Sequence, residues 1–128
     1  MRTRIGFVSN SSSSSFLIPI NALEAYQIEM IKDHINVARN WQQYHTDKDM
    51  YVRDDDRWDI EVKEKCLFGY TFMDNFDMGF FLTEIIGMTN HIYWESEHGL
   101  DLDEINREIL IEKRKDKLDN LENVDPDL

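Results

Sequence analysis

The chain has 128 residues and a formal net charge of −12 at pH 7, because 26 acidic side chains outnumber 14 basic ones. This length suits a single domain, residues 1–128, with one hydrophobic core, and an apolar content of 41% excludes a mostly disordered chain. The charge disfavours direct binding to nucleic acid or to an anionic membrane. No apolar run reaches the roughly 18 residues of a membrane-spanning helix. We therefore expect neither nucleic acid nor a membrane as a partner.

The N-terminal region differs from the rest in charge, since residues 1–20 contain two arginines and no acidic side chain. Its first apolar run, residues 5–8, is too short for a signal peptide. Cys66 is the only cysteine, which excludes an internal disulfide and suits a reducing cytoplasm.

A serine-rich segment over residues 9–15 separates two short apolar runs. One interpretation is a flexible loop or terminal arm, because polyserine buries little surface. The other is a loop held between two strands, whose hydroxyl and N–H groups bind phosphate or accept a modification. The candidate residues for that role are Ser11, Ser12, Ser13, Ser14 and Ser15.

The first helix is predicted over about residues 21–41. Asn21 is a favourable N-cap residue, and Glu24 three positions later completes the pattern of a capping box. The apolar residues of this segment form two adjacent stripes, wider than the roughly 100° stripe of a one-sided surface helix. We expect the helix to be covered on two sides, by the sheet and by a second helix or a partner chain.

Three later segments are predicted as strands. Trp58, Ile60 and Val62 alternate with charged residues, which indicates a half-buried strand. Residues 66–73 are apolar on both faces and indicate a central strand. Residues 91–95 are expected to form the last strand.

The second helix is predicted over residues 75–86, with Asp74 or Asn75 as its N-cap and Gly87 at its C-terminal end. Asp74 and Asp77 near its start are weak candidates for a divalent-cation site, because hard cations bind carboxylate oxygens. The favoured role is capping, since an aspartate in the first turn accepts hydrogen bonds from free N–H groups and complements the helix dipole.

The third helix is predicted over residues 101–122, where Asp101 is the expected N-cap and Glu104 occupies the third position. Its apolar residues move from one side of the helix to the other, so part of it is expected to leave the core. Residues 123–128 form a polar tail. Together the elements predict an α+β fold, a small and mainly antiparallel sheet with three helices packed on it.

One segment, residues 66–106, contains eight carboxylates and no lysine or arginine, together with five of the seven phenylalanines. Solvation of an acidic face is one explanation. The other is a recognition surface that imitates the phosphates of nucleic acid and occupies the basic groove of another protein. The residues predicted to form this surface are Glu84, Glu95, Glu97, Asp101, Asp103 and Glu104.

Few signals in the sequence point to catalysis. The four histidines form no zinc-binding pair that we recognise, and one cysteine cannot supply the usual sulfur ligands. Cys66 lies in an apolar segment without a nearby base. The chain contains no nucleophile elbow, no phosphate-binding loop and no dinucleotide fingerprint. We therefore expect a protein that is not an enzyme and needs no cofactor.

Two strings in the chain resemble patterns found elsewhere. GFVSNSSSSSF, residues 6–16, resembles an N-terminal signature of many small uncharacterised proteins, chiefly from bacteriophages and some prokaryotes. FMDNFDMGFFLTEIIG, residues 72–87, is similar to a pattern in some of those proteins. The resemblance implies a phage origin and assigns no site residue.

These observations predict a phage protein that binds a host or phage protein in the host cytoplasm, as a host-takeover or anti-defence factor. A virion or assembly component is the first alternative, in which the terminal segments make subunit contacts. The second is a divalent-metal-dependent enzyme acting on nucleotides through Asp74, Asp77 and Glu84. The wide apolar helix faces are also compatible with a homo-oligomer.

Overall fold

The computed structural model of the chain describes residues 13–47, 52–73, 75–95 and 100–122, the last five of them as backbone only. Within these ranges, four strands and four helices form one α+β unit, as predicted, although one helix more is present than expected. The elements are β1 (Ser14–Pro19), α1 (Ala25–Lys32), α2 (His34–Tyr44), β2 (Asp59–Val62), β3 (Cys66–Thr71), α3 (Met78–Phe80, continued by a π-helical segment, Phe81–Ile85), β4 (Tyr93–Trp94) and α4 (Leu102–Glu122).

The four strands form one sheet in the order β2-β3-β1-β4, and each adjacent pair is antiparallel. The expected central strand, β3, lies between β2 and β1, but it ends at Thr71 instead of residue 73. β1 pairs with β3 from Ser14 opposite Thr71 to Pro19 opposite Cys66. Ser14 and Ser15 are thus part of a strand, and the expected serine loop does not extend to them.

Side chains of a strand alternate between its two faces, and here the faces differ. The inner face carries Phe16 and Ile18 from β1 and Leu67 from β3, all at most 1% exposed. Helices α1, α2 and α3 cover this face and supply Ile31, Ile35, Phe81 and Leu82 to one continuous core. Trp58, just before β2, packs on the Phe16 ring with the centroids 5.6 Å apart.

Gly69 of β3 lies directly opposite Phe16 in the sheet. A Cβ atom at this position would collide with the Phe16 ring. The absence of a side chain at Gly69 therefore lets the largest inner-face residue of β1 lie against the backbone of its neighbour.

The predicted first helix is in fact two helices, and it begins four residues later than expected. Glu24 is the N-cap of α1, and its side chain and that of Gln27 form a reciprocal capping box. Asn21 lies in a 3₁₀ turn, Ile20–Ala22, and donates a hydrogen bond to the backbone of Asn106 instead.

The helical conformation is interrupted between α1 and α2 at Asp33, which has φ −109° and ψ 32°. The buried His34 ring contacts the Ile31 carbonyl through Nδ1 at 2.7 Å. That carbonyl would otherwise accept the N–H of Ile35 in a continuous helix. The break explains the wide apolar surface of this segment, since two short helices with different axes bury it from two directions.

The second predicted helix begins later than expected, because its N-cap is Asp77. The Asp77 carboxylate accepts the Phe80 N–H at 3.0 Å, whereas Asn75 donates its amide to Asp56 at 3.3 Å. Asp74, the other proposed cap, lies outside the described residues. Gly87 follows the helical segment with φ 88°, which confirms it as the residue that ends the helix.

Helix α4 packs against one end of the outer face of the sheet, beside the 3₁₀ turn at residues 20–22. Asp101 is its N-cap as predicted, since its carboxylate accepts the Glu104 N–H at 3.1 Å. Ile109 is buried, while Leu110 and Ile111 are about half exposed. The tail at residues 123–128 lies outside the described residues.

Asn106 of α4 connects three elements. Its Oδ1 accepts the Asn21 N–H at 2.9 Å, and its Nδ2 donates to the Lys65 carbonyl at 2.9 Å.

Among the described residues, no helix combines the length and apolar content needed to cross a bilayer.

Candidate functional site

The acidic residues proposed for recognition fall on three separate elements. Asp101 is the N-cap of α4, and Asp103 and Glu104 lie in its first turn. Lys65, from the turn before β3, contacts Asp103 at 2.9 Å. Lys65 immediately precedes residues 66–106, the segment without lysine or arginine. The fold nevertheless brings its ammonium into contact with Asp103, a carboxylate of that segment. The exposed hydrogen bond and charge of Asp103 raise the pKa of Lys65.

The other proposed acids lie elsewhere. Glu84 is exposed on the π-helical segment, in the helical layer that covers the inner face. Glu95 follows β4 with φ 51°, and its N–H donates to the Ser15 carbonyl at 2.9 Å. Glu97 lies outside the described residues. The described acids thus cover several sides of the molecule and do not form one patch.

The proposed metal and phosphate residues that the structure describes are not brought together into one site. Asp77 is an exposed helix cap, and within the described ranges no three His, Cys, Asp or Glu side chains could hold a metal ion together. Ser14 is 6% exposed and faces the core side of β1, while Ser13 is exposed before the strand. Ser11 and Ser12 lie outside the described residues.

His34 is fully buried and connects α2 to the start of β2. Its Nε2 accepts the backbone N–H of Trp58 at 3.0 Å, so Nδ1 carries the proton and donates to Ile31. Burial lowers the pKa of His34 from 6.5 to about 4, an effect that the Ile31 carbonyl partly opposes. A neutral ring with both nitrogens paired indicates a structural role.

A row of aromatic side chains, missed in the sequence, begins on the outer face of β3 and continues one residue past its end. Phe68, Tyr70 and Phe72 alternate with the inward Leu67, Gly69 and Thr71. The ring centroids of Phe68 and Tyr70 are 5.9 Å apart, and those of Tyr70 and Phe72 are 5.8 Å apart. Phe72 is 75% exposed, and the other two rings are partly exposed. We call these three residues the aromatic row.

The signal for the aromatic row was present in the sequence as aromatic residues at every second position. Because residues 66–73 are apolar on both faces, the sequence predicts a central strand there, but it does not show that the outer face of that strand is partly exposed. On the inner face, the missing side chain of Gly69 makes room for Phe16.

Carboxylates border the aromatic row on the side of β2. Asp59 lies opposite Tyr70, and Glu61 lies opposite Phe68. Both are exposed, and neither forms an ion pair within the described part of the chain. The Lys63 ammonium lies 5.1 Å from the centroid of the Phe68 ring, in a cation–π contact.

An open depression of about 400 Å³ lies next to the Phe68 end of the row, where α4 begins. Leu17, Cys66 and Leu102 form its apolar part, and Lys63 and Lys65 contribute to its edge. Cys66 is buried, so its thiol is poorly placed for chemistry. The depression extends the apolar surface of the outer face toward α4.

No protein-family model matches the chain, and no significant match exists to a curated protein or to a solved structure.

Proposed function

We propose that this chain is a non-enzymatic phage protein that binds a host or phage protein with a basic surface. Residues 6–16 and 72–87 resemble patterns in small proteins that come chiefly from bacteriophages. This resemblance supports a phage origin and, with it, action in the host cytoplasm. The net charge of −12 supports the choice of partner, because such a protein repels nucleic acid and attracts cationic surfaces. In this role it would act as a host-takeover or anti-defence factor.

The observation that carries this proposal is the surplus of exposed carboxylates that lack a cation. Asp59, Glu61 and Glu104 form no ion pair with any described residue, while Lys65 and Lys113 are already paired with Asp103 and Glu24. These carboxylates are exposed and take part in no ion pair with a described residue, so no such contact in the fold depends on them. Unpaired carboxylates remain available to steer a basic partner into contact.

The carboxylates imitate nucleic acid in a general way in this proposal. Because the described acids lie on several elements, the field is spread over the surface, and a single line of charges is not required. A groove that normally binds phosphates would respond to such a field through long-range attraction, with contacts of shorter range fixing the orientation.

The test is affinity purification of the tagged chain from phage-infected cells at two ionic strengths. We expect a basic protein to be captured at about 0.05 M salt and its yield to fall at about 0.15 M, where the screening length is near 8 Å. A yield that is independent of salt, or the absence of any specific partner, would refute the proposal.

A virion or assembly component is a second candidate, favoured by one observation. Leu110 and Ile111 are consecutive residues of α4 and are 48% and 49% exposed, so contact with another subunit would remove apolar surface from water. Mass spectrometry of purified particles separates the two functions. Stoichiometric amounts of the chain in particles would support the structural role, and its absence there would support action on a cytoplasmic partner.

A further inference from the structure

We infer that the aromatic row and its bordering carboxylates form the docking surface for an extended, arginine-containing segment of the partner protein. This inference rests on the proposed function and names the surface and the partner chemistry. The residues are Phe68, Tyr70 and Phe72 of the row, with Asp59 and Glu61 beside it.

The apolar part of the surface is unusual for its position. Phe72 is 75% exposed and the adjoining Met73 is 56% exposed, although both belong to a segment rich in core residues. In the described part of the chain, helix α4 packs at the other end of the outer face, where Leu17 and Cys66 are buried. Large aromatic side chains next to one another in solvent are characteristic of a binding surface.

The charge beside the row defines the occupant. Asp59 is the direct cross-strand neighbour of Tyr70, and Glu61 is that of Phe68, so two of the three rings have a carboxylate beside them, and Phe72 contributes its exposed ring. A nucleic acid base would stack on the rings, but its phosphates would meet these carboxylates. A cationic side chain satisfies both groups, because it is attracted by the ring face and by the acid.

Arginine suits this arrangement better than lysine. Its planar guanidinium stacks on an aromatic ring and binds a carboxylate through two N–H groups, whereas an ammonium is compact and strongly hydrated. The molecule already contains a weaker version of the contact, since Lys63 lies over the Phe68 ring. Tyr70 and Phe72 remain for the partner.

The spacing of the row favours an extended segment. Successive centroids are 5.9 and 5.8 Å apart, and every second side chain of an extended chain is roughly 6.7 Å from the last. A segment that crosses the outer face above β3 can therefore place alternate arginines over successive rings, and a residue beyond the last arginine, if apolar, would reach the depression at Leu17 and Leu102.

The experiment titrates the full-length chain with two synthetic ten-residue peptides, one alternating arginine with leucine and one alternating lysine with leucine. We expect the arginine peptide to bind more tightly. Phe72→Ala should weaken its binding about five-fold, as for the loss of one cation–π contact. Asp59→Asn with Glu61→Gln should weaken binding further and reduce its salt dependence.

Matched controls separate this surface from general attraction. Tyr26→Ala removes a 61% exposed aromatic ring on α1, and Glu84→Gln removes one negative charge from the other layer. Neither should change the affinity by as much as two-fold. If Glu84→Gln has the effect of Glu61→Gln alone, the attraction is diffuse and the inference is wrong.

Two further outcomes also decide the question. Light scattering that shows a dimer, abolished by Phe72→Ala, would assign the row to a second copy of this chain and overturn the inference. If the partner from infected cells is still captured by the triple variant Asp59→Asn, Glu61→Gln, Phe72→Ala, the docking surface is refuted while the proposed function stands. Loss of capture by this variant alone, with Tyr26→Ala unaffected, supports the inference.

Discussion

The two faces of the sheet are built from the same kinds of residue and behave differently. On β3, Leu67 is fully buried toward the helices, while Phe72, beyond the end of the same strand, is 75% exposed on the other side. Helices α1, α2 and α3 pack on the inner face at β1 and β3, and α4 packs beside one end of the outer face. An aromatic side chain therefore serves stability on one face and remains available for contact on the other.

The largest expected effect comes from truncating one phenylalanine on each face. Phe16→Ala should lower the free energy of unfolding by about 3–5 kcal/mol, because it leaves a cavity between Trp58 and Trp94. Phe72→Ala should change it by less than about 0.5 kcal/mol, as for other exposed positions. Urea unfolding of both variants measures the difference, and equal losses would show that the faces do not differ as described.

The next effect concerns a polar group on the inner side. The pKa of His34, about 4 in the fold, lies below its ordinary value of 6.5, so the unfolded chain takes up a proton first. The contribution of neutral His34 to the free energy of unfolding is therefore fully present above pH 6.5, and up to about 3 kcal/mol of it is lost as the pH decreases to 4. Burial is the main cause, and of the neighbouring charges Arg57 lowers the pKa while Asp33 raises it.

Unfolding of the wild type and of His34→Gln across pH 4 to 7 tests this effect. The variant should be less stable at pH 7 but should lose less of its stability on acidification. His45→Gln, an exposed control, should follow the wild type. Parallel curves for all three proteins would mean that another group is responsible.

A smaller effect is expected on the outer face, where α4 is held by Asn106. Asn106→Ala should destabilise the fold by about 1–3 kcal/mol, because the Asn21 N–H and the Lys65 carbonyl lose their partner. Amide exchange should accelerate in α4 more than in β1 and β3. Glu108→Ala, exposed on the same helix, is the control, and uniform acceleration over the whole chain would contradict a local attachment.

Local signals predicted the elements that depend on nearby residues. Asp101 caps its helix and Gly87 ends another, because both effects involve only the adjacent turn. The alternation at Trp58 and Ile60 and the apolar segment from Cys66 likewise indicated adjacent antiparallel strands, and hence the α+β class.

Other features depend on contacts between distant positions and could not be predicted. The break before His34 involves a ring nitrogen that accepts the N–H of Trp58, 24 residues away. Lys65 neutralises Asp103 from 38 positions earlier, so the charge of a segment did not predict the charge of a surface. The exposure of Phe72 depends on which end of the sheet α4 covers, and Asn106 fixes that through a bond to Asn21.

The position of β2 at the edge of the described sheet affects whether copies of the chain associate with one another. An edge strand offers unpaired N–H and carbonyl groups to any extended chain, and this is a common route to aggregation. β2 is four residues long and carries Asp59 and Glu61, so a second copy aligned there would bring like charges together. The two carboxylates proposed to attract an arginine-containing partner would therefore also disfavour the pairing of β2 with β2 of a second copy, a step toward fibrils.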